Sequence, residues 1–217
     1  MNEPRYAFVT GSSGGIGRSI VSMLEDEGYI PVPISTRMEH FPQLRHEVEN
    51  FAANHPVHAL ITCAGVGLFQ PLESIGHEEI RHLIDVNLTA PILLTQSLLP
   101  HLKKTGGHIL HVASIEATRH TAYSSAFTAT KAGLREFSLT LFEEVRRMGI
   151  RVTVINPGMV RTNFYENLSF EPDDKPDTAL SPQDVANLVK TALRSDGVVV
   201  DVTVRPQKMG IRHKKRD

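Results

Sequence analysis

The sequence predicts an α/β fold: one domain on a doubly wound, mostly parallel sheet with helices on both faces. Three observations predict it. Short apolar runs of strand type alternate with helical periodicities from Tyr6 to Val204. A glycine-rich turn joins the first run to the first helix. The length of 217 residues, with 41% hydrophobic and 22% charged residues, suits one domain with a sizeable core. No internal repeat or low-complexity block interrupts the pattern.

Global properties narrow the function classes. The formal net charge of −1 gives no electrostatic reason to expect nucleic acid or a membrane surface as partner. No apolar run reads as long enough to span a bilayer. The stretch Met1 to Arg5 does not read as a signal peptide. One cysteine, Cys63, excludes an intramolecular disulfide and fits a reducing compartment. A soluble, cytoplasmic protein is expected.

Tyr6 to Val9 reads as a buried strand and runs into Thr10-Gly11-Ser12-Ser13-Gly14-Gly15-Ile16-Gly17. A helix then carries Ile20, Val21 and Leu24 to a stop at Gly28. Strand, glycine turn and helix make a phosphate cradle, because the helix start offers unpaired N–H groups to an anion. The alternative is a tight helix start with no ligand. Tyr29 to Ser35 is the second strand, ending in Ser35-Thr36-Arg37. A carboxylate here would accept from an adenosine ribose and favour NAD, but none appears before Glu39. Arg37 suits a 2′-phosphate, hence NADP; otherwise it is an exposed surface arginine. Pro42 to Asn54 is helical, with Leu44, Val48 and Phe51 on one face. It follows so soon that the crossover after the second strand must be shortened, with one helix deleted and the next strand reduced or absent. The adenine side should be open.

His58 to Thr62 is the next strand and leads into Cys63-Ala64-Gly65, with Cys63 read as a small core residue. His77 to Lys103 is helical, interrupted by Pro91, and carries Asn87. After Gly106-Gly107 come a strand from His108 to Ala113, then Ser114. A helix from near Ser124 to about Arg147 carries Phe127 and Lys131, four apart and so on one face. The strand Ile150 to Ile155 ends in Asn156-Pro157-Gly158-Met159-Val160-Arg161-Thr162. Residues 163–180 are polar and irregular and read as a short lid. Ser181 caps a helix from Pro182 to about Arg194, and Val198 to Val204 is the last strand. The basic tail after Pro206 is expected to be solvated and disordered.

These motifs together resemble the short-chain dehydrogenase/reductase family over nearly the whole chain. The likeness rests on Thr10-Gly-x-x-x-Gly-x-Gly17, Ala64-Gly65, Asn87, Ser114, the position-127-x-x-x-Lys131 spacing and Pro157-Gly-x-Val160-x-Thr162. It implies a Rossmann domain over residues 1–205 that binds NADP, with a lid at 163–180 and a tail at 206–217. It implies cofactor contacts from Gly11, Ser13, Gly15, Ile16, Gly17, Arg37, Ala64, Gly65, Asn87 and Lys131, with Pro157, Gly158, Val160 and Thr162 around the nicotinamide half. It implies that Asn87 distorts its helix and holds a water on a proton path to Lys131. The family's Asn-Asn-Ala-Gly is here Thr62-Cys63-Ala64-Gly65, which leaves open the contacts those asparagines make. The family's two long helices pair across a two-fold axis, so a homodimer or homotetramer is expected.

One departure bears on chemistry. The family's proton donor is a tyrosine, and position 127 is Phe. The expected catalytic set is Asn87, Ser114, Phe127 and Lys131, of which Phe127 cannot give a proton. Three readings stay open: an NADP-dependent reductase whose tyrosine was replaced by design, a non-redox NADP-binding protein, or an enzyme using another acid such as Tyr123. The substrate is expected to be a small carbonyl or alcohol, met by Ser114, Ile115, Tyr123, Met159, Phe164 and Tyr165. His111 and His120 lack metal-ligand spacing to any partner, so no metal is expected.

Overall fold

The computed structural model describes residues 3–214. Six strands form a parallel sheet in the order β2-β1-β3-β4-β5-β7. They are β1 (Arg5–Thr10), β2 (Tyr29–Pro33), β3 (Val57–Thr62), β4 (His108–Val112), β5 (Arg151–Pro157) and β7 (Asp201–Val204). The helices are α1 (Gly15–Asp26), α2 (Phe41–Asn54), α3 (His77–Ile84), α4 (Ala90–Thr105), α5 (Ser125–Val145) and α6 (Pro182–Arg194). Alternation along β1 divides the core. Ala7 and Val9 face α1 and α6, packing with Ile20, Leu24, Val185 and Val189. Phe8 faces the other way, onto Leu44 and Val48 of α2 and Leu94 and Leu98 of α4. The doubly wound sheet therefore follows from strands apolar on both faces.

The shortened crossover is real. β2 is the sheet edge, and α2 alone carries the chain from it to β3 on the far side of β1. One helix and one strand of the expected pattern are missing, as the spacing requires. Chain order thus reverses between β1 and β3, and a crevice opens at their carboxyl ends.

Three expectations need correction. The long helix does not stop at Pro91: it runs on through a five-residue π turn, Asp85–Thr89, that contains Asn87, and Pro91, which has no N–H to give the preceding turn, follows directly after it. The continuous stretch His77–Thr105 is long and apolar enough to cross a membrane by length and composition, contrary to expectation. Here it is a core helix, with Leu83, Leu94, Leu98 and Leu102 buried within the domain. The tail, finally, is not solvated coil: β8 (Ile211–His213) pairs antiparallel with β6 (Phe170–Pro172) of the lid. Lys215 and Arg216 lie outside the described residues.

Candidate active site

The nucleotide end is built by backbone. Gly11 has φ +66°, and a β carbon on Gly17 would stand 2.0 Å from the Gly11 carbonyl oxygen, so the turn closes only with glycine. The cap residue Gly14 offers no side chain to the first turn of α1. Its N–H groups are left to meet an anion, which is the fit a pyrophosphate needs. Ser13 is exposed beside this turn, Gly15 begins α1, and Ile16 lines a cavity at the strand ends. Thr10 does work that its motif did not announce. Its Oγ1 accepts from the N–H groups of both Cys63 and Ala64, each at 3.0 Å, tying the end of β1 to the end of β3. Thr62, in the place of an expected asparagine, pairs instead with buried His111, Oγ1 to Nδ1 at 2.7 Å. The Cys63 thiol is pushed up to about 12 by burial, against the opposing Lys131 charge, which suits a packing residue and not a nucleophile.

Arg37 is exposed at the end of the β2 segment and makes no ion pair among the described residues. The expectation that no carboxylate stands here is overturned. Glu47 reaches over from α2 and accepts from Ser35 N–H at 2.9 Å and Thr36 N–H at 3.0 Å. A search along the chain near Arg37 could not find it, because the short crossover brings it in from a helix.

Asn87, Ser114, Phe127 and Lys131 converge between β3, β4 and α5. Lys131 Nζ donates to the Val112 carbonyl at 3.2 Å, just before Ser114 at the end of β4. Burial depresses its pKa to about 8, with the Cys63 sulfur opposing. Gly65 leaves room for both polar groups: a β carbon there would lie 3.3 Å from Lys131 Nζ and from Asn87 Oδ1. Asn87 is wholly buried in the π turn. Its Oδ1 accepts from Val66 N–H at 2.9 Å; its Nδ2 donates to Val66 O at 2.9 Å and Thr130 Oγ1 at 3.2 Å. The side chain thus locks the loop after β3 to α5. Ser114 Oγ accepts from Glu116 N–H at 3.2 Å and lines the cavity.

That cavity holds about 310 Å³ at the strand ends. Gly65, Ser114, Phe127 and Lys131 line one wall; Pro157, Gly158, Met159, Val160 and Thr162 line another. Phe127 is only 3% exposed and packs on Phe69, ring centroids 4.8 Å apart, with Phe164 at 6.2 Å. Phe170 closes on Phe69 edge-on at 5.1 Å. Tyr165 also lines the space, its phenol held up at about 12 by burial. Glu116, nearly buried, is paired with Arg119 at 2.5 Å and supplies a polar patch. Ile211 and His213 of the tail complete the lining. Phe69, Phe170, Glu116 and the tail residues carry no motif, so sequence reasoning missed them. Tyr123 lines the cavity mouth but is not on α5, which begins at Ser125 after the cap Ser124. It is 64% exposed with φ +65°, a left-handed conformation rare for a bulky residue. A tyrosine one helical turn before Phe127 is therefore not what the fold provides. No group of three metal-ligating side chains occurs among the described residues.

Fold and site define a doubly wound α/β domain with a cavity at the carboxyl ends of its strands. Residues 35–172 match the family model for short chain dehydrogenase. The chain belongs to the short-chain dehydrogenase family of oxidoreductases, whose members act on small molecules. An uncharacterised oxidoreductase of Staphylococcus epidermidis is 29% identical, over 94% of this chain and 98% of that protein. Among solved structures, an alcohol dehydrogenase from Thermococcus sibiricus complexed with 5-hydroxy-NADP is 26% identical, with TM-score 0.79, over 94% of this chain and 97% of that one. A short-chain dehydrogenase from Streptomyces avermitilis shares the fold at TM-score 0.83 and 23% identity, over 94% and 88% of the two chains.

Proposed function

We propose that this protein binds NADP(H) and transfers hydride between the nicotinamide and a small carbonyl compound or secondary alcohol, with activity weakened by Phe127. The observation that carries the reading is the joint placement of Ser114 and Lys131 against the Pro157–Thr162 turn in one cavity. Bound nicotinamide would supply or accept the hydride. The chain's own residues do the rest. Ser114 donates to the substrate oxygen. Lys131, protonated below about pH 8, holds positive charge beside it. The aromatic wall of Phe69, Phe164 and Phe170 excludes water and favours a partly apolar substrate. Residues 163–180 and the tail act as the lid of a domain spanning 1–205. The unpaired Arg37 supports NADP over NAD, as does the NADP derivative bound by the archaeal relative. A second reading, nucleotide binding without redox, is favoured by one observation: the apolar packing of Phe127 leaves the proton donor's place filled by hydrocarbon.

We place the protein in the cytoplasm and propose a homodimer or homotetramer, since α4 and α5 hold the place of the two long helices that pair in the family. Light scattering at micromolar concentration tests the assembly, and a monomer would refute it. Function is tested by fluorescence titration with NADPH and NADH, and by turnover of this chain beside Phe127→Tyr on ketones and aldehydes. An Arg37→Ala variant should weaken NADPH about tenfold and leave NADH unchanged. If no dinucleotide binds, the reading falls.

A further inference from the structure

We propose that Glu47 is a cofactor-discriminating residue: its carboxylate occupies the anion-accepting N–H pair at the end of β2, where an adenosine 2′-phosphate would otherwise be received. The inference rests on the dinucleotide reading above. Glu47 Oε1 accepts from both the N–H and the hydroxyl of Ser35, each at 2.9 Å, and Oε2 accepts from Thr36 N–H at 3.0 Å. Consecutive N–H groups converging on one point form an anion site. In this sheet they lie at the carboxyl end of β2, where open parallel sheets read the ribose. The chain has filled the site with its own anion.

The carboxylate is held firmly. Leu44 and Val48 on either side of it are buried under the sheet edge, so α2 cannot carry it away without exposing core. Partial burial works against its ionisation, but the hydrogen bonds from Ser35 and Thr36 outweigh that and keep the carboxyl below its usual range. The local device is therefore an ionised acid held on Ser35 and Thr36, next in sequence to an arginine that makes no ion pair among the described residues, and the two have opposite preferences. Oε2, which accepts from Thr36, keeps lone-pair capacity for a ribose hydroxyl, which an unphosphorylated ribose can donate. A 2′-phosphate finds the N–H pair taken and meets negative charge, and only Arg37 attracts it. Arg37 thus draws NADP in while Glu47 limits the preference. The shortened crossover makes this arrangement possible, because α2 starts at Phe41, one short loop after β2 ends at Pro33.

The test is the ratio of NADH to NADPH dissociation constants, measured by fluorescence titration, with 2′-phospho-AMP and AMP as probes lacking the nicotinamide. Glu47→Gln keeps an acceptor and removes the charge. It should raise the ratio about tenfold in favour of NADPH, and 2′-phospho-AMP should gain over AMP by a similar factor. Glu47→Ala should shift the ratio in the same direction. If wild type binds dinucleotide but both variants leave the ratio unchanged, or weaken both nucleotides equally, Glu47 only braces the loop and the proposal is overturned. If wild type binds neither nucleotide, this proposal and the cofactor reading fall together.

Discussion

The two walls of the cavity are made differently. The nucleotide wall rises from the ends of β1, β3, β4 and β5, strands whose side chains are buried almost throughout. The lid wall is a two-stranded ribbon of three residues each, β6 and β8, too small to stand alone in water. It is held by the packing of Phe170 on Phe69 and Tyr165 and by surface groups. Arg212 bridges Glu171 at 2.6 Å and also Asp174. Lys214 Nζ caps the carbonyls of Tyr165 and Glu166. Exposed ion pairs of this kind contribute about 0–1 kcal/mol each. The contrast divides the cavity between a wall set by buried strand ends and a small ribbon laid over it; on the proposed function, hydride transfer would belong to the first and substrate entry to the second.

The largest expected effect tests the rigid wall. Phe127→Tyr should raise carbonyl reduction by at least about 10²-fold, the low end for a general acid, with cofactor affinity nearly unchanged. Steady-state kinetics on a carbonyl panel decide it. An inert variant that still binds NADPH would shift the reading to a non-redox binder.

Acid should strike the same wall next. Burial depresses His108 and His111 to about 3, with Arg151 and Lys131 respectively adding repulsion. Below the unfolded value of about 6.5 the unfolded chain takes up protons that the folded chain refuses until about 3. Stability is therefore full above pH 6.5 and falls through that window, by roughly 2 kcal/mol per histidine at pH 5. Thermal melts at pH 7 and pH 5 measure this; an unchanged midpoint would show that these histidines do not stay neutral in the fold.

The pH response of Lys131 sharpens the link between wall and ligand. Its folded pKa near 8 means that the ammonium is lost as pH rises past 8. Dinucleotide affinity should drop severalfold between pH 7 and 9, and Lys131→Met should flatten that profile. Equal slopes in the two proteins would remove Lys131 from binding.

The smallest effect belongs to the lid. Arg212→Ala should raise substrate KM about threefold and speed hydrogen exchange in residues 163–180, while moving the melting midpoint by no more than about 2 °C. A large fall in the midpoint would mean that the ribbon is part of the cooperative core and that the contrast between the walls is false.

Legibility divided along the same line. Local apolar runs, the glycine turn, Ser114, the 127–131 spacing and Pro157–Thr162 were all readable, because each is a short-range requirement of a strand end or helix start. The missing strand was readable too, since too few residues follow β2 to build a full crossover. What the sequence could not show was which distant side chains arrive at those strand ends. Glu47 reaches Ser35 across 12 positions, Thr62 finds His111 across 49, and Arg212 meets Glu171 across 41. None carries a local pattern, because a carboxylate on a half-exposed helix or an arginine in a tail is locally unconstrained. By itself the sequence determined the sheet, the glycine turn and a phenylalanine, without a hydroxyl, at position 127. Only the tertiary structure decided that a helix carboxylate reaches the N–H groups after β2 and that the tail lines the cavity, since both depend on how close the packed core brings separate segments.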